Sequence, residues 1–141
     1  MRKLGLDVGD RTIGVAVSDG LDMTAQGITT IERTGIKKDT GRVLEYIREY
    51  GCGTVVIGLP LSMSGEDTEQ TVKTREFADK LANKLRSNGL ADVEITFQDE
   101  RLTSLMAERA MLEADLSRAN RKEIIDRQAA VIILQSYLDR I

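Results

Sequence analysis

Apolar and polar positions divide the chain into short apolar runs at the start and helical repeats later. Residues 3–8 (Lys-Leu-Gly-Leu-Asp-Val) are mostly apolar and meet Gly9-Asp10, which predicts a strand ending in a turn. Residues 13–18 (Ile-Gly-Val-Ala-Val-Ser) predict a second strand, with Asp19-Gly20 as the next turn. Residues 23–31, with Thr24, Ile28, Thr29, Thr30 and Ile31, predict a third. The short links imply antiparallel hairpins. In 39–50, Val43, Leu44 and Ile47 fall at helical spacing, with Asp39 or Thr40 as N-cap and Gly51 and Gly53 closing the helix. Residues 54–58 are dominated by β-branched side chains, as in a strand buried on both faces. Residues 59–65 form a loop, and 67–87 a long polar helix carrying Val72, Phe77, Leu81 and Leu85 that ends near Asn88-Gly89. Residues 93–97 alternate apolar and polar as a fifth strand. Thr103 caps a helix to about Glu113, and a last helix spans roughly 121–139.

Three hairpin-linked strands followed by α-β-α-β-α-α predict an α/β fold. Helical crossovers make the later strands parallel, giving a mixed five-stranded sheet flanked by helices. A length of 141 residues with 41% hydrophobic residues fits one domain over 1–141, without repeats or linkers. No apolar run is long enough for a transmembrane helix, and Asp7 falls too early for a signal peptide, so a cytoplasmic location and no membrane partner are expected.

Composition narrows the chemistry. One cysteine, Cys52, excludes an intrachain disulfide and a thiolate zinc cluster. The absence of histidine excludes Ser-His-Asp and Cys-His catalysis and a histidine general base. Any acid–base or metal chemistry rests on the 23 acids. The net charge of −3 gives no global basic footprint for nucleic acid.

Three acids stand out by position. Asp7 interrupts an apolar strand, alternating with Gly5 and Gly9, while Leu6 and Val8 point the other way. A buried carboxylate must be paired, metal-bound or at an edge, and the Gly9-Asp10 turn is one structural partner for it. Asp99-Glu100 follows the fifth strand, where open α/β sheets place their sites; a solvated loop with Glu100 paired to Arg101 is the plainer alternative. Asp126 shares a helical stripe with Ala130, Ile133 and Tyr137, flanked by Ile125, Ala129 and Ile132, so it lies on or beside the buried face. Its structural alternative is a first-turn acid favoured by the helix dipole. Together the three outline one site of oxygen donors, which suits Mg²⁺ or Mn²⁺. Two such ions about 4 Å apart clamp the attacking and leaving oxygens of a phosphodiester.

The residues resemble a known family over essentially the whole chain. The carriers are Leu4-Gly-Leu-Asp-Val-Gly9 with Ile13-Gly-Val-Ala-Val-Ser-Asp19; Val56-Ile-Gly-Leu-Pro-Leu61 with Gly65; Asp99-Glu-Arg-Leu-Thr103; and Ile125-Asp126 followed by Gln128-Ala-Ala-Val-Ile-Ile-Leu-Gln135. In this order they are similar to the YqgF (RuvX-like) family of pre-16S ribosomal RNA nucleases, also described as Holliday junction resolvase-like. The resemblance implies a ribonuclease H-like fold and a catalytic, metal-binding triad of Asp7, Glu100 and Asp126, with Asp99 as rival to Glu100. It implies a metal-dependent hydrolase of ribosome biogenesis, acting on the 5′ end of precursor ribosomal RNA, or alternatively a resolvase of branched DNA. A two-fold symmetric junction calls for a homodimer, whereas a monomer suffices for RNA trimming.

Other features carry less. Arg101 could hold a phosphate or pair with Asp99 or Glu100. Arg118, Arg121 and Lys122 make a locally basic stretch beside Asp126 that could grip a nucleic-acid backbone or be merely solvated. The loop from Pro60 to Gly65 could border the site, and Gly58 and Gly65 could permit turns. Gly9 and Gly14 could admit a substrate or shape the hairpin. The turn Asp10-Arg11-Thr12 carries little information. Met106 and Met111 are packing residues. Asp7-Val8-Gly9 with Gly14 also resembles the first phosphate motif of actin-like ATPases, but those need a second related domain. A non-catalytic ribosome-assembly factor is the remaining alternative. With an acidic chain, partner proteins or the ribosomal particle would supply part of the affinity.

Overall fold

A computed structural model describes residues 1–103 and 121–141, with the side chains of the last helix described from Ile125 onward. The elements are β1 (Arg2–Val8), β2 (Thr12–Ser18), β3 (Ala25–Glu32), α1 (Ile36–Tyr50), β4 (Cys52–Leu59), α2 (Glu69–Ser87), β5 (Glu94–Asp99) and α3 (Arg121–Leu138). The sheet order is β3-β2-β1-β4-β5. β1, β2 and β3 pair antiparallel, while β4 runs parallel to β1 and β5 parallel to β4, as the hairpin-then-crossover pattern predicts. The helix expected from Thr103 to Glu113, with Met106 and Met111, lies outside the described residues.

The two faces of the sheet differ in bulk. One carries Leu4, Leu6, Val8, Ile13, Val15, Val17, Val55 and Ile57, which pack with α1 (Val43, Leu44, Ile47) and α2 (Phe77, Ala78, Leu81, Leu85). The other carries Ala16 and Val56 under Ala129, Ala130, Ile133, Leu134 and Leu138 of α3. Glycines complete this second face. A Cβ at Gly14 would lie 1.9 Å from the Asp126 carbonyl oxygen, and one at Gly5 would lie 2.7 Å from Leu134 Cβ. A Cβ at Gly58 would lie 2.4 Å from Ile133 Cδ1. α3 therefore sits on a lane from which side chains are missing. Among the described residues, no helix is long and apolar enough to cross a membrane.

Local details depart from the expectations. α1 starts at Ile36 after Gly35, whose φ of 137° turns the chain in, so neither Asp39 nor Thr40 is its N-cap. Asp39 is fully buried instead, and its carboxylate accepts from Thr34 N (3.0 Å) and Arg33 Nε (2.9 Å). Gly51 closes α1 in the left-handed region (φ 63°), but Gly53 belongs to β4, which begins already at the buried Cys52. Burial pushes the Cys52 thiol up to about 11. α2 is capped by Thr68 through a reciprocal pair of bonds with Thr71. Val72 is 56% exposed and off its buried stripe, which runs Thr74, Phe77, Ala78, Leu81, Leu85. β5 extends to Asp99, and Glu100 opens a 3-10 turn over Glu100–Leu102 that Thr103 closes.

Candidate nuclease site

Asp7 and Gly14 are partners in the β1–β2 register, and strand alternation turns both toward α3. Gly14 lacks the Cβ that would collide with the Asp126 backbone, so α3 comes down onto the sheet beside Asp7. β5 brings in the third acid. Gln98 pairs with Gly58 and Asp99 with Leu59, so Asp99 is the last strand residue and Glu100 turns over Gly58. A Cβ at Gly58 would stand 3.4 Å from Glu100 Cδ.

These placements converge on one cavity of about 290 Å³, lined by Asp7, Val8, Gly9, Thr12, Gly58, Pro60, Gln70, Glu100 and Asp126. The three acids singled out in the sequence therefore face one space. Asp7 and Asp126 are each only 9% exposed. Buried carboxylates need partners, and the Thr12 hydroxyl donates to Asp126 Oδ2 from 114 residues away in the chain.

Asp99 is oriented differently. Arg101 donates to its carboxylate from the backbone N (2.9 Å), from Nε (3.1 Å) and from Nη2 (2.7 Å). Hydrogen bonding from Arg101 holds the Asp99 carboxyl below its ordinary range. Arg101 is thus engaged with Asp99 rather than presented to the cavity. Its Nη1 also donates to the Met63 carbonyl (3.3 Å), and its guanidinium rests against Gly65, tying the loop after β4 to the end of β5. Arg118 lies outside the described residues, and of Arg121 and Lys122 only the backbone, in α3, is described.

Sequence reasoning passed over three participants. Thr12, set aside with its turn, is the partner of Asp126. Gln70, one residue into α2, lines the cavity, and its Nε2 donates to the Val8 carbonyl (3.1 Å). Arg33 fixes the cavity wall from behind: its Nη1 donates to the Gly9 carbonyl (2.8 Å) while its Nε is held by buried Asp39. An arginine just before a helix, with an acid six residues on, was the available signal for that pair. Gly14 serves the approach of α3 rather than a substrate or the hairpin. Gly58 opens room for Ile133 and Glu100, and of these two Gly65 (φ 87°) is the turn glycine.

The donor set suits a hard cation, since the titratable groups lining the cavity are all carboxylates. Among the described residues, no three His, Cys, Asp or Glu stand close enough to cage an ion as they are. An ion that keeps several waters, as Mg²⁺ does, fits such an open arrangement.

Comparisons with known proteins place the chain in a family. A family model described as "RuvX: Holliday junction resolvase" matches residues 1–140. A Clostridium novyi protein named "Putative pre-16S rRNA nuclease" is 52% identical over 141 residues, covering 100% of both chains. A Myxococcus xanthus protein of the same name is 49% identical over 139 residues, covering 99% of this chain and 88% of the relative. Among solved structures, Thermus thermophilus RuvC in complex with a Holliday junction substrate superposes with a TM-score of 0.62 at 15% identity, covering 99% of this chain and 94% of that one. Fowlpox virus resolvase with its junction DNA gives a TM-score of 0.56 at 9% identity, covering 99% and 98%. At such identities the likeness is one of fold, and the mixed five-stranded sheet is ribonuclease H-like.

Proposed function

Because the chain belongs to the RuvX family and is a phosphodiester-cleaving nuclease, we propose that it trims the 5′ end of precursor 16S ribosomal RNA with Asp7, Glu100 and Asp126. The observation that carries this is the convergence of the three acids on one cavity through three separate elements. Relatives at about half identity over the full chain, named for that RNA, support this choice of substrate. Residues 1–141 act in this reading as one cytoplasmic domain, and a monomer suffices.

Asp7, Glu100 and Asp126 would hold Mg²⁺ or Mn²⁺. Such an ion supplies charge neutralisation at the scissile phosphate and a more acidic water. The chain's own groups do the positioning. Thr12 would hold the carboxylate of Asp126 in place through its hydroxyl. Gln70 is tied to Val8 at the wall, and Arg33 sets the Gly9 carbonyl. Arg118, Arg121 and Lys122 are the proposed backbone contacts beside Asp126. Arg101 would join them only by giving up Asp99.

A paired cleavage assay with Mg²⁺ or Mn²⁺ tests this, using precursor ribosomal RNA and a four-way DNA junction. The RNA should be cut, and Asp7→Asn should lower the rate by about 100-fold or more, the scale of losing one electrostatic stabiliser. The family's description as junction resolvases favours the second substrate. Cutting of the junction alone would move the assignment to DNA. An Asp7→Asn variant that cuts like the parent would remove the triad.

A further inference from the structure

A second cavity, of about 460 Å³, opens between α1 and the C-terminal half of α2. Lys37 enters it from the first turn of α1, and Lys80 and Lys84 from adjacent turns of α2, with the polar side chains of Asn83 and Asn88 beside them. Among the described residues, no carboxylate lines it. Among the described residues, the ion pairs are Lys3–Asp22, Arg33–Asp39, Lys73–Asp10, Arg75–Asp67 and Arg101–Asp99, and none includes these three lysines. Lys84 is half-buried, and its Nζ donates to the Lys37 carbonyl (3.2 Å), which fixes one ammonium inside the groove. Like charges at i and i+4 of a helix repel. A bound anion would relieve the repulsion between Lys80 and Lys84, which Glu76 offsets only on the N-terminal side of Lys80.

The chain as a whole is acidic, at −3, and among the described residues its nuclease cavity is lined by three acids and by no lysine or arginine. A polyanionic substrate gains from cationic contacts beyond that lining. One helix joins the two places: Gln70 of α2 lines the acidic cavity, and Lys80 and Lys84 lie ten and fourteen residues further along. At about 1.5 Å per residue that is roughly 15–21 Å along the axis. On a strand rising about 3.4 Å per nucleotide, the span is roughly four to six nucleotides.

We propose that the groove of Lys37, Lys80 and Lys84 binds backbone phosphates of the same nucleic acid, several nucleotides from the point of cleavage. This rests on the nuclease assignment, and it adds a grip distinct from the basic stretch beside Asp126. Lysines in a cavity contact phosphates as point charges without reading bases, so the grip is independent of sequence.

The test is equilibrium binding of a labelled precursor RNA across a salt series, without added divalent ion, for the parent and for Lys80→Gln/Lys84→Gln. The matched control is Lys38→Gln/Arg42→Gln, an exposed pair at the same spacing on α1 that does not line the groove. The groove variant should bind about tenfold more weakly near 0.1 M salt. Its slope of log K against log salt should fall by roughly one to two, since each lost phosphate contact removes about 0.7–0.9. The control should change much less, and the groove variant's cleavage rate at saturating RNA should stay at the parent's value. Unchanged affinity, or an equal loss in the control, overturns the proposal. If inorganic phosphate shifts the lysine NMR signals while RNA affinity is unaffected, the groove takes the free ion only and the proposal also fails. Binding is read independently of cutting, so a parent that binds but cuts nothing sinks the nuclease assignment and leaves the groove to its own result.

Discussion

The sheet presents large side chains to α1 and α2 and almost none to α3, and the chemistry sits on the bare face. On the bulky face, Leu4, Leu6, Ile13, Val15 and Ile57 are each wholly buried. Each such side chain contributes about 1.5–3 kcal/mol on burial. On the other face, Gly5, Gly14, Ala16 and Gly58 let a helix backbone settle against the strands, which brings Asp126 beside Asp7. One layer stabilises the fold by volume; the other gives up volume so that carboxylates from separate elements share a cavity. Removing volume should therefore do the damage on the bulky face, and adding it on the bare one.

The largest effect belongs to the bulky face. Phe77→Ala removes a fully buried ring that also carries the Arg33 guanidinium 5.4 Å above it. It should cost about 3–5 kcal/mol in chemical denaturation. A loss under about 1 kcal/mol would mean that this face is not the stabilising one.

On the bare face, addition rather than deletion should do the damage. Gly14→Ala places a methyl 1.9 Å from a backbone carbonyl that cannot rotate away. Overpacking of this kind costs about 2–3 kcal/mol, or roughly 10 °C in Tm for a domain of this size. Cleavage should fall further than stability explains, because Asp126 is the group displaced. A Gly14→Ala protein with unchanged melting and activity would break the contrast between the faces.

Thr12→Val keeps the shape and removes the hydroxyl that donates to Asp126. The stability loss should be about 1–2 kcal/mol, the scale of one unsatisfied acceptor. Activity should drop about 10- to 100-fold, as for lost partners of metal ligands. Rescue by Thr12→Ser would assign the effect to the hydroxyl.

The smallest effect sharpens the choice between neighbouring acids. The Arg101 hydrogen bonds depress the folded pKa of Asp99. Its pairing therefore stabilises the fold above the ordinary carboxylate value of 3.8 and is lost as pH falls through the lower folded value. Asp99→Asn should cost under about 1 kcal/mol at pH 7, shrinking toward zero below that window in urea melts. It should leave cleavage nearly intact, whereas Glu100→Gln should not. The reverse pattern would make Asp99 the site acid.

The element order is legible in the chain alone, because period-2 and period-3.6 patterns are local. The chain also marks the acids, since Asp7 in an apolar strand and Asp126 on an apolar helix stripe are anomalies that need no contact map. Hairpins first and crossovers later set the strand directions for the same local reason. Boundaries were less legible: Asp39 looks like a cap, yet its partner Arg33 draws it into the interior. Which residues meet is set by the packing of whole elements. That Thr12 serves Asp126, that Glu100 rather than Asp99 turns over Gly58, and that Lys37 joins Lys80 and Lys84 all depend on register and helix docking. Those follow from the shapes of whole surfaces, and here above all from the Cβ that Gly14 does not have.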